Sequence, residues 1–139
     1  MAMSDAEKQA LKETMAERAK ARKKMSPEQL EQEVLDKIAA MAPADRSIGE
    51  KVHVLVKKVA PGLQAKTWYG MQAYCDAAGK TVVFFQDAGK FKARYSTLGF
   101  QDAANLDDTE MWATSFAVIG WNAAVEKQIT ELVKRAVAN

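Results

Sequence analysis

The chain has one cysteine, one histidine, three prolines and seven glycines in 139 residues, and no aromatic side chain before Trp68. Each scarcity removes a class of explanation. A lone Cys75 cannot close an internal disulfide, which fits a reducing, cytoplasmic setting. A closed zinc site normally takes four ligands, and His53 and Cys75 stand in no ligand-spaced pair. A nucleophile, base and orienting group would have to run through His53, and no Gly-x-Ser-x-Gly elbow, phosphate-binding loop or dinucleotide fingerprint accompanies it. A non-enzyme is therefore expected. No apolar run approaches the roughly 20 residues needed to span a bilayer. The opening MAMSDAEKQ carries acidic residues and lacks the apolar core of a secretory leader.

What remains is ordinary globular material, 48% hydrophobic and 27% charged, of a length that suits one domain. The net charge of +2 is unevenly placed: residues 1–25 hold seven Lys/Arg against four Asp/Glu, which leaves the rest slightly acidic. The basicity is thus an N-terminal property, and a nucleic-acid surface on the domain is not expected. Arg18, Lys20, Arg22, Lys23 and Lys24 read as the solvated, basic end of a helix, without interleaved aromatics for stacking bases.

Periodicity divides the chain into helices, a meander and a last helix. Ser4 and Glu7 fit a capping box ahead of a helix with Ala10, Leu11, Met15 and Ala19 as a thin apolar stripe. Ser26-Pro27-Glu28-Gln29 opens a second helix, marked by Leu30, Val34, Ile38 and Met41 and closed by Pro43. A third, over residues 45–59, aligns Ile48, Val52, Leu55, Val56 and Val59 before Pro61-Gly62 stops it. His53 flanks that apolar face and reads as a boundary residue, and Cys75 as a small buried filler. Strands follow at Met71–Cys75 and Thr81–Gln86, joined through Asp76-Ala77-Ala78-Gly79, then at 91–97 and 111–119. Asn122 caps a final helix bearing Val125, Ile129, Leu132, Val133 and Ala136. The expected fold is α+β: an antiparallel meander with helices on one face, residues 26–139, preceded by a basic helical extension over 1–25.

Eight of the eleven aromatic residues lie between positions 66 and 100. Within that stretch, Thr67-Trp68-Tyr69-Gly70-Met71-Gln72-Ala73-Tyr74, Lys80-Thr81-Val82-Val83-Phe84-Phe85-Gln86 and Lys90-Phe91-Lys92 resemble the YdhG-like family of small bacterial domains. The spacing to Tyr95, Gly99-Phe100 and Met111-Trp112 is similar to one branch of it. The resemblance implies a small sandwich of frataxin-like architecture, and in one branch an iron chaperone. This chain departs from the family at Gln72, where proline is frequent, and at Ala93, where many members have histidine. A role resting on that histidine does not carry over.

Two candidate sites follow. Loosely held Fe(II) or Fe(III) needs only surface carboxylates, and Asp102, Asp107, Asp108 and Glu110 are the candidates, with Glu28, Glu31, Glu33 and Asp36 as a second patch. The same acidic residues also serve as plain solvation and helix-dipole compensation. Trp68, Tyr69, Gly70, Met71, Tyr74, Tyr95 and Trp112 could line an aromatic cleft, with Gln86, Lys90 and Lys92 aimed at a small anionic metabolite. The rings could equally fill the core between sheet and helices. Gly70, inside an aromatic run, points to a positive φ or a close backbone approach. A module whose first helix docks on a protein partner is the third expectation.

Overall fold

The computed structural model describes residues 4–21 and 25–138, excepting the side chains of 18–21. Ser26 makes both halves of its capping box, accepting from the Gln29 amide while the Gln29 side chain accepts from its own, and so starts α2 (Pro27–Ala39). Pro43 does more than follow that helix. It occupies the first turn of α3 (Pro43–Val59), where its missing N–H costs nothing. Asn122 accepts from the Val125 amide and starts α5 (Ala123–Val137). The N-terminal helix, α1 (Asp5–Ala21), begins after Ser4, whose hydroxyl accepts from the Glu7 amide. No helix among the described residues is long and apolar enough to cross a membrane.

Five strands form one antiparallel meander in the order β1-β2-β3-β4-β5: Gln64–Trp68, Met71–Cys75, Thr81–Gln86, Ser96–Phe100 and Ser115–Val118. The fold is α+β, as its pattern of elements implies. The register pairs Gln72 with Phe85, Tyr74 with Val83 and Phe85 with Leu98, so these share a face. That face meets Val34 and Ile38 of α2, Val52 and Val56 of α3, and Ile129 and Val133 of α5. Val34, Val52, Val83, Phe85, Leu98 and Val133 are fully buried, each such side chain contributing about 1.5–3 kcal/mol. The opposite face presents Trp68, Ala73, Phe84 and Gly99, with the half-exposed Trp68 and Phe84 rings 5.3 Å apart. Phe84 lies so close over Gly99 that a Cβ there would collide with its ring.

Several boundaries differ from the sequence expectation. Strand β1 has no counterpart among the strands expected from the sequence. The expected strand 91–97 is displaced and meets the observed β4 only at Ser96 and Thr97: a single turn, α4 (Ala88–Phe91), precedes it, and Lys92 turns left-handed at φ 52° before β4 begins at Ser96. The reason is tertiary, since Asp45 of α3 accepts from the Gly89 amide at 2.9 Å and Ser96 Oγ accepts from the Ala88 amide at 3.0 Å. The expected strand 111–119 shrinks to β5, and 107–114 is exposed irregular chain. His53 lies inside rather than at a boundary, with 7% of its surface exposed. Cys75 is buried, its thiol 3.4 Å from the Gln64 carbonyl, and burial pushes its pKa up.

Helix α1 is turned opposite to its apolar stripe. Leu11 and Met15 face solvent at 52% and 63% exposure, while Thr14 is buried. Its hold on the body runs through carboxylates instead. The basic side chains from Arg18 to Lys24 lie outside the described residues.

Candidate functional site

Strands β1 and β2 are joined by the two residues Tyr69 and Gly70 between the paired Trp68 and Met71. Both have positive φ, 50° and 76°. That combination is the hairpin turn whose twist matches the strands, and it favours glycine. It also turns the Gly70 amide away from the ladder, where it donates to Glu17 Oε1 of α1 at 3.0 Å. The Gly70 carbonyl accepts from Lys90 Nζ at 2.9 Å. Lys90 Nζ also pairs with Glu13 Oε2, and Lys37 Nζ of α2 lies 3.0 Å from that same oxygen. Three elements thus aim two ammonium groups and one amide at carboxylates delivered by α1.

The pair at the centre is largely withdrawn from water, with the Lys90 and Glu13 side chains 18% and 15% exposed. Burial works against the Glu13 charge, but hydrogen bonds from Lys90, Gln9 and Lys37 outweigh it and hold the carboxyl below its usual range. The folded-state value is depressed. The stabilisation is therefore present above the ordinary carboxylate range and is lost as pH falls through the lowered value. A side chain at Gly70 would run into both the Glu13 carboxylate and the Lys90 ammonium, so glycine serves the turn and the close approach together.

Lys90 is placed by α4, and α4 by Asp45, Ser96 and the buried Asp87 that precedes it. Burial raises the Asp87 pKa, its own backbone hydrogen bond opposes this, and the nearby Asp45 charge adds to the rise. A raised acid is most favourable to the fold below its ordinary pKa, and its contribution declines as pH climbs through the raised value. Asp87→Asn is accordingly expected to raise the unfolding midpoint at neutral pH, with the gain vanishing in acid. Thermal melts from pH 4 to 8 measure it, and a loss of stability at pH 7 would contradict it.

The expected aromatic cleft is divided rather than assembled. Tyr74 points to the helices, Trp68, Met71 and Gln86 sit on the opposite face, and Lys90 meets the Gly70 carbonyl. Tyr69 packs edge-on against Trp68 at 4.8 Å. Tyr95 is partly exposed beneath the Arg94 guanidinium, 5.3 Å from its ring centre, Lys92 is exposed beyond α4, and Trp112 is in the exposed segment before β5. Asp102, Asp107, Asp108 and Glu110 are exposed along 101–110. Of the second patch, Glu28 is exposed, Glu31 is bonded to Lys57 and His53, and Glu33 and Asp36 line a cleft against α1. Among the described residues, no group of three or more His, Cys, Asp or Glu could hold a metal ion. The residues do not fit a preformed iron site.

Two features escaped the sequence. Glu13, Glu17 and Lys37 complete the cluster, and only the spacing of Glu13 and Glu17, one turn apart on the side of Ala10, could have hinted at it. The second is a buried polar chain. Tyr74 Oη donates to His53 Nδ1 at 2.8 Å, His53 Nε2–H donates to Glu31 Oε2 at 2.9 Å, and Gln72 Nε2 donates to Tyr74 Oη at 3.0 Å and to the Gly49 carbonyl at 3.2 Å. That arrangement, with the ring proton on Nε2, gives every donor of the buried network an acceptor. Gln72 Oε1 alone has no partner among the described residues. Burial pushes the Tyr74 hydroxyl far above the usual phenol range, so it stays protonated.

Compared with family models, curated proteins and solved structures, the chain has no significant match.

Proposed function

We propose that the chain is a non-enzymatic binding module for an anionic small molecule, held by Lys37, Lys90 and the Gly70 amide. One observation carries the reading: carboxylates already sit on that cluster, so its donors are spaced and oriented for such a group. Charge-assisted hydrogen bonds are the strong ones, shorter and roughly twice as favourable as neutral ones. The amide and the ammonium groups come from three separate elements, the β1–β2 turn, α2 and α4, which converge on one place. The iron reading has no comparable support, because the acidic residues expected to bind it do not converge.

The test empties the cluster in the full chain with Glu13→Ala and Glu17→Ala. This variant is expected to melt earlier than the parent at low salt, because Lys37 and Lys90 then lose the carboxylate they share. Citrate at constant ionic strength should restore the midpoint along a saturating curve, and adding Lys90→Ala should abolish that recovery. A citrate effect unchanged by Lys90→Ala would sink the assignment.

A further inference from the structure

Helix α1 is held to the body in an unusual way. Its inward residues are Glu13, Thr14 and Glu17, and its larger apolar residues, Leu11 and Met15, point into solvent. A docked helix normally buries its apolar stripe, and that burial is what keeps it in place. Among the described side chains of α1, the attachment runs through two carboxylates on the cluster, with Thr14 Oγ1 returning its hydrogen bond to the Ala10 carbonyl of its own helix. Such an attachment can be exchanged for another anion, whereas a buried apolar stripe cannot.

We propose that α1 is a displaceable internal ligand: an external polyanion takes Lys37, Lys90 and the Gly70 amide from Glu13 and Glu17, and the helix is released. The proposal rests on the anion-binding reading above and adds its regulation. A tethered carboxylate competes at an effective concentration on the order of millimolar. A single carboxylate in solution is a poor competitor at that level. An anion with two or more charges, such as a phosphate or a di- or tricarboxylate, can engage both lysines and the amide together. Glu33 and Asp36 of α2 line the cleft of about 320 Å³ that Glu13, Glu17 and Lys37 share, and their charge raises the demand on the incoming anion further. Once free, α1 loses the tertiary contacts that supply most of a helix's stability, and it unwinds. Ligand binding would then lower helix content, the reverse of the usual ordering on binding.

Hydrogen exchange and far-UV circular dichroism on the full chain test this, with citrate titrated against sodium chloride of equal ionic strength. The expected result is at least a tenfold acceleration of exchange confined to residues 5–17, with a matching loss of helical signal, and neither in the Lys90→Ala chain. If citrate binds with Lys90 dependence while α1 stays protected, displacement is overturned and the site survives. If citrate stabilises only the Glu13→Ala, Glu17→Ala chain, α1 is a permanent plug and displacement is again overturned. If citrate binds neither chain, the anion-binding reading itself falls and displacement with it.

Discussion

Gly70→Val is expected to destabilise the protein by about 2–3 kcal/mol and to free α1 at the same time. The left-handed conformation alone costs a residue with a Cβ roughly 1–2 kcal/mol, and more if it is branched. The new side chain would also occupy the space where Glu13 and Lys90 meet. Urea unfolding gives the first quantity and exchange of the α1 amides the second. Retention of both stability and α1 protection would show that the turn does not depend on glycine.

His53→Leu is expected to cost about 2–4 kcal/mol without affecting any citrate response. The imidazole accepts from Tyr74 and donates to Glu31 within a region almost closed to solvent. Removing it strands the Tyr74 hydroxyl beside Gln72, whose Oε1 already lacks a partner, and an unsatisfied buried group costs roughly 1–3 kcal/mol on its own. Leucine fills most of the volume, so the loss reads the hydrogen bonds more than a cavity. Chemical denaturation measures it. A cost below 1 kcal/mol would mean that the buried chain contributes little, and a lost citrate response would mean that it reaches the binding cluster.

The fold was largely legible because its signals are local. Ser26, Pro27 and Gln29 specify a helix start whatever surrounds them, and the 3.6-residue spacing of Ile48, Val52, Leu55, Val56 and Val59 specifies a buried face. From composition alone, Asp76–Gly79 reads as a hairpin connection and the continuous apolar run of β3 as a strand. The misread segments are those decided at a distance. Residues 88–91 coil into α4 because Asp45, over forty positions earlier, captures the Gly89 amide. His53 moves from boundary to interior because Tyr74 and Glu31 offer it partners on two other elements.

The candidate site was legible only in outline. Gly70 and Lys90 stood out, the first as a glycine among aromatics and the second as part of a basic tip. Their partners did not, since Glu13 and Lys37 are an ordinary acid and an ordinary base on helices whose apolar stripes drew attention elsewhere. The orientation of α1 is what the stripe misrepresents. Leu11 and Met15 suggested the buried face, and ion pairs set the opposite one. Charge pairing across 77 residues of sequence, as between Glu13 and Lys90, leaves no periodic trace.

The Gly70 amide is the most direct reporter of the binding cluster, because it is the one backbone donor in it. In a ¹⁵N-resolved spectrum of the Glu13→Ala, Glu17→Ala chain, that resonance is expected to move downfield and saturate as citrate is added at fixed ionic strength. A Gly70 resonance that stays still, or drifts linearly with Gly62 and Gly120, would contradict an anion site at Lys37, Lys90 and Gly70.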